Sequence, residues 1–255
     1  MRSRITYLVG LIALAAVSGA QSFDKLIADV RAADYHGDRA ALEKLFTASE
    51  SLVGSKEPQD WVHYWRGFAL WRKAINGFND GIGIDEQTND LTRACNEFEK
   101  PSSLTDSKIA EAACLMSLTF MHQSEADKVK LWLPKFMGLL NDAEKEAQGN
   151  PRFYWVKGPE LWYMPKSRGG GEDLAFAAYQ KGLEACKKQP KSPFYVATWG
   201  EPELLMNLAW SELHRKEPDL KAARNYAKKA LKIVPDWHYV RDILLPQIEA
   251  AMKSK

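Results

Sequence analysis

Residues Ala222-Ala223-Arg224-Asn225-Tyr226-Ala227-Lys228-Lys229-Ala230-Leu231-Lys232-Ile233-Val234-Pro235 (AARNYAKKALKIVP) carry alanines at 223, 227 and 230 and a proline at 235. Intervals of four and three place these alanines on one face of an α-helix. Small side chains there let a neighbouring helix approach closely. Pro235 then stops the helix, because it has no N–H to donate. The preceding segment, residues 203–216 (ELLMNLAWSELHRK), supplies Leu208, Ala209 and Trp210 as the face that meets the alanines. A helix, a turn and a second helix with a small-residue seam form a unit that buries its apolar face by stacking on further copies.

The same pattern recurs upstream. Gly158 lies in an aromatic helix, and the next helix has Ala175, Tyr179 and Gly182 at the four-three interval. Gly67 and Ser117 fit the small position of two further first helices. Hydrophobic periodicity predicts eleven helices, near 22–35, 38–53, 58–76, 88–99, 106–123, 126–147, 151–163, 171–188, 201–216, 218–233 and 236–252. Runs of alternating β-branched residues are missing. The expected fold is an all-α solenoid of about five irregular helix-turn-helix repeats with a C-terminal capping helix. Segments 77–90 and 165–171 are expected as loop insertions.

The chain has 255 residues, 45% hydrophobic and 27% charged, which suits a folded globular protein and excludes a disordered or fibrous one. Residues 1–20 stand apart. Arg2 and Arg4 precede an apolar run, Tyr7 to Val17, and Ser18-Gly19-Ala20 follows it. That is the pattern of a secretory signal peptide, too short to span a membrane. The expected organisation is therefore a signal at 1–20 and one helical domain over 21–255, exported to the periplasm or secreted. Cleavage would remove two of the 35 Lys+Arg and none of the 33 Asp+Glu, leaving a balanced chain. A balanced chain gives no footing for nucleic-acid or anionic-membrane binding. Of the three cysteines, Cys95 and Cys114 fall in consecutive predicted helices and are a candidate disulfide; the alternative is three buried thiols.

Several strings resemble a group of exported bacterial tetratricopeptide-repeat proteins. They are Asn150-Pro151-Arg152-Phe153-Tyr154-Trp155 with Gly158 and Pro165, then Gly169-Gly170-Gly171-Glu172 and Ala175. The first helix His63-Tyr64-Trp65 with Gly67, the segment Ala110-Glu111-Ala112, the stretch Trp199-Gly200-Glu201 and the tail Pro235-Asp236-Trp237 with Leu244-Leu245-Pro246 extend the likeness over about 58–250. The chain is more distantly similar to the T-component of TRAP transporters, but lacks a lipobox cysteine. The resemblance implies a repeat fold and an exported location.

In such a repeat array the first helices line the concave face. Tyr64, Trp65, Trp155, Trp162, Tyr163 and Trp199 are therefore the candidates for an aromatic groove, because Trp and Tyr bury much area at little entropic cost. Packing between repeats is the competing role. Arg168 with Gly169, Gly170 and Gly171 precedes a helix start and is a candidate anion loop. No nucleophile elbow, metal-ligand spacing or nucleotide motif is present, so neither a catalytic residue, nor a metal, nor a cofactor is expected. The expected function is a non-catalytic scaffold that holds a protein or peptide in the concave groove. A small-molecule binder resembling the T-component is the alternative.

Overall fold

A computed structural model describes residues 22–101, 103–147 and 149–254. The segment expected to be a signal, 1–20, lies outside the described residues. Eleven α-helices follow one another, and no strand occurs among the described residues: α1 (Phe23–His36), α2 (Arg39–Ala48), α3 (Gln59–Asn79), α4 (Ile84–Phe98), α5 (Thr105–Met121), α6 (Ala126–Glu146), α7 (Pro151–Tyr163), α8 (Glu172–Cys186), α9 (Glu201–His214), α10 (Leu220–Ile233) and α11 (Leu245–Lys253). None is long and apolar enough to cross a membrane.

Local chemistry sets the helix ends. Ser22, Asp38, Asn150 and Asp219 accept a backbone N–H from the first turn of α1, α2, α7 and α10. Pro151 sits at the start of α7, where its missing N–H costs nothing. The expected 77–90 insertion contracts to a turn over residues 80–83. Asp85 and Glu86, which read as loop, instead complement the positive end of the α4 dipole. Leu91, Ala94, Cys95 and Phe98 then form the buried stripe of α4. The expected capping helix is divided: a π-helical turn, Tyr239–Leu244, leads into α11. Pro246 explains the division, since it cannot donate into a regular ladder.

Consecutive helices pack as pairs, α1 with α2 and so on to α9 with α10. The first members also touch in series, α1 with α3, α3 with α5, α5 with α7 and α7 with α9. This is the solenoid-like arrangement that the spacing predicts. Ala223, Ala227 and Ala230 are fully buried in the α9–α10 pair. Gly158 leaves room on α7 for the Tyr179 ring of α8, since a Cβ there would stand 1.9 Å from it.

The array closes on itself. The Tyr35 ring at the end of α1 meets Trp237 near the C-terminus at 5.3 Å, edge to face. Its hydroxyl donates to Glu203 of α9 at 2.6 Å. The segment between α8 and α9, residues 187–200, then crosses the inner side of the first-helix layer. Trp65 Nε1 donates to the Tyr195 carbonyl, and Trp199 Nε1 donates to the Tyr64 hydroxyl, each at 2.7 Å. Trp199 packs against Phe68, Trp71 and Trp155 at 5.6–5.9 Å. Tyr64, Trp65 and Trp199 are consequently buried in the core and do not line a groove. A tight closure and a crossing segment have covered the concave face that a more open solenoid would leave to solvent.

Buried ion pairs also link successive first helices. Arg152 of α7 holds Asp106 of α5 at 2.5 Å and donates to the Trp199 carbonyl at 3.3 Å. Arg72 of α3 holds Asp34 of α1 through Nε at 2.7 Å.

Candidate functional site

Helical periodicity delivers one set of side chains to a shared space. On α3, Arg72, Ile75, Asn76 and Asn79 recur at intervals of three and four. On α7, Trp155, Pro159 and Trp162 do the same, and on α9 Met206, Asn207 and Trp210. These faces converge on a cavity of about 270 Å³. Tyr179 from α8, with Trp237 and Tyr239 from the C-terminal segment, completes the wall. Trp162 and Trp210 meet edge to face at 5.3 Å. Phe78 and Tyr163, also in the lining, are 44% and 62% exposed and stand where the cavity meets solvent. Phe120, itself exposed, packs on Tyr163 at 5.6 Å and continues the apolar rim.

The polar groups cluster at the α3 and α9 side. Arg72 commits its Nε to Asp34, and its guanidinium lies 5.5 Å from the Trp71 ring. Asn76 Nδ2 donates to Asp34 at 3.2 Å. Burial pushes the Tyr179 phenol above its ordinary range and that of Tyr239 up to about 12. Both hydroxyls are therefore neutral at physiological pH.

Behind this wall lies Glu203, fully buried. Its carboxylate accepts from Tyr35 and from the Gly200 N–H at the start of α9. Desolvation raises its pKa above the ordinary value of 4.5, against the opposing pull of the Tyr35 hydrogen bond and of Arg72. The folded protein keeps this proton to higher pH than the unfolded chain does. Its contribution to stability is therefore largest below the ordinary glutamate range and declines as pH rises through the raised value. Glu203→Gln is expected to flatten that decline. Urea unfolding midpoints of both proteins at acid and neutral pH check this; parallel pH profiles would refute it.

The residues singled out from sequence divide sharply. Trp155, Trp162 and Tyr163 come together on the cavity, whereas Tyr64, Trp65 and Trp199 do not. The glycine loop is no anion cradle. The Gly169, Gly170 and Gly171 N–H groups all donate to backbone carbonyls, of Lys166, Pro165 and Leu161. Its glycines serve closure instead, since a Cβ on Gly170 would lie 2.1 Å from the Met164 carbonyl oxygen. Arg168 is exposed beside it. Cys95 and Cys114 are buried free thiols in α4 and α5, and they face one another. Burial first, then the hydrogen bond between them, pushes the Cys114 thiol well above its usual range, so it is not a reactive thiolate. Arg72, Asn76, Asn207, Trp210, Trp237 and Tyr239 had no sequence signal as a group. Only Asn207, one helical turn from Trp210, hinted at a polar edge on an apolar face.

The chain shares its fold with the HusA haemophore from Porphyromonas gingivalis. The TM-score is 0.56 at 20% identity, over 76% of this chain and 94% of the haemophore. At that identity the likeness speaks to fold alone. No protein-family model matches the chain, and no curated protein matches it.

Proposed function

We propose that this protein is a non-catalytic, exported binding protein whose aromatic cavity takes a flat, largely apolar small molecule. The observation that carries the reading is the cavity itself. Trp155, Trp162, Tyr179, Trp210, Trp237 and Tyr239 surround one space, with polar side chains confined to one side. Rings at this density present faces and edges that favour a planar ligand. A concave, mostly apolar site with a few placed polar groups is the usual form of a small-molecule site. The haemophore, by its name a carrier of haem, supports a carrier reading for a chain of the same fold. An open peptide groove is less well supported, because residues 187–200 occupy the face where it would lie.

Haemin, the planar cargo named by that neighbour, is the first ligand to titrate, with quenching of tryptophan fluorescence as the signal. Saturable quenching with one site per chain is expected. Trp162→Ala, which removes one wall and the partner of Trp210, should weaken binding about tenfold, equivalent to about 1.4 kcal/mol. Circular dichroism confirms the fold of the variant. Quenching that never saturates, or that is identical in Trp162→Ala, would remove haemin as an occupant of this cavity.

A further inference from the structure

We infer that the ligand of this cavity presents a hydrogen-bond-accepting oxygen, of a carbonyl or carboxylate, to Trp155 Nε1 and Asn207 Nδ2. The inference rests on the small-molecule reading above and adds the chemistry at one end of that molecule. Trp155 is 8% exposed, and its indole N–H is buried without a partner. The Asn207 amide nitrogen is likewise buried without a partner. Both side chains line the cavity. A buried donor with no acceptor bears the full loss of its hydration, so native proteins pair nearly all of them. The unpartnered buried atoms of the cavity wall are both donors. No acceptor of the wall stands among them.

Arg72 reinforces the same polarity. It lines the cavity, its Nε is taken by Asp34, and its Nη groups make no hydrogen bond among the described residues. Asp34 compensates its charge at 2.7 Å, so the donor set does not require a full negative charge on the ligand. A neutral carbonyl oxygen satisfies it, and a carboxylate adds attraction to Arg72 at the cost of its own desolvation. A ligand that offers only a donor, or only hydrocarbon, leaves both N–H groups unsatisfied. A site built around unpaired polar groups discriminates strongly against an analogue that lacks the partner.

Fluorene and 9-fluorenone make the test, because they share a planar frame and differ by one carbonyl oxygen. Fluorene-9-carboxylate is the anionic arm. Binding is measured by equilibrium dialysis with detection of the probe's own absorbance. Fluorenone should bind about tenfold or more tighter than fluorene, as expected for pairing a buried donor. In Trp155→Phe, which keeps an aromatic ring, and Asn207→Leu, which keeps a similar volume, the ratio of fluorenone to fluorene affinity should fall toward one, whatever each substitution does to fluorene itself. Tighter binding of the carboxylate than of fluorenone would assign the oxygen to an acid; the reverse would assign it to a neutral carbonyl. Equal binding of fluorene and fluorenone by the native protein would overturn the inference and leave the cavity reading standing. So would a fluorenone preference that survives both substitutions. Failure of all three probes to bind would instead count against the cavity as a ligand site, and the inference would fall with it.

Discussion

Trp199→Ala is expected to lower the folding free energy by about 3–5 kcal/mol, the range for emptying a buried tryptophan site. The reason is its position at the centre of the closed array. Its ring touches Phe68, Trp71 and Trp155, and its N–H is the donor to the buried Tyr64 hydroxyl. Truncation leaves a void lined by rigid rings that cannot collapse into it. It also removes the donor from a phenol with no access to water. Trp199→Phe should cost less, because it restores most of the ring volume and forfeits mainly the hydrogen bond, a loss of about 1 kcal/mol with a further penalty for the stranded oxygen. Urea unfolding midpoints of the three proteins measure both. A loss below about 1 kcal/mol for the alanine variant would show that residues 187–200 are not packed inside the helical layer. The filled concave face would then have to be abandoned.

The second large effect is expected at Arg72. Replacing it with methionine leaves the buried Asp34 carboxylate without its cation, with the single hydrogen bond that Asn76 Nδ2 donates to its Oδ1. Removing one partner of a buried pair costs about 3–5 kcal/mol, because the remaining charge is uncompensated. Removing both is milder. Arg72→Met/Asp34→Asn should therefore recover a large part of the loss, with a coupling of about 1–3 kcal/mol in the double-mutant cycle. Additive losses would mean that the pair is not a unit. The same arginine borders the cavity, so the double variant separates its structural from its binding contribution. If it recovers stability yet still binds fluorenone more weakly than the native protein does, Arg72 acts on the ligand as well as on α1.

The helical architecture was legible because its causes are local. The seam at Ala223, Ala227 and Ala230, the caps at Asp38 and Asp219 and the stop at Pro235 operate within one or two turns. Local chemistry is ambiguous elsewhere. Asp85 and Glu86 look like loop residues until they are seen at the N-terminus of α4. The capping helix expected over 236–252 is divided instead, with a π-helical turn ahead of Pro246. The glycine loop failed as an anion cradle for a related reason. A run of glycines offers N–H groups, but the sequence does not say whether carbonyls such as those of Pro165 and Leu161 will take them.

The cavity was half legible. Of the six aromatics expected to line a concave groove, Trp155, Trp162 and Tyr163 border the cavity. Tyr64, Trp65 and Trp199 carried the same signal and lie in the core. No periodic rule separates the two groups, since all are aromatics on or beside first helices. What separates them is contact between residues far apart in the chain: Trp65 with Tyr195, Tyr64 with Trp199, Tyr35 with Trp237.

The element list, the pairing of consecutive helices and the small-residue seams thus follow from the order of residues along the chain. Hydrophobic periodicity, capping and proline act over a few residues and are written in the order of the chain. Which aromatics are core and which line the cavity follows from the tertiary packing. That choice depends on how far the stacked pairs curve before α1 meets the C-terminal segment, and on an aperiodic stretch, residues 187–200, filling the space they enclose. Both are sums of many packing contacts between distant residues, and no local pattern encodes them.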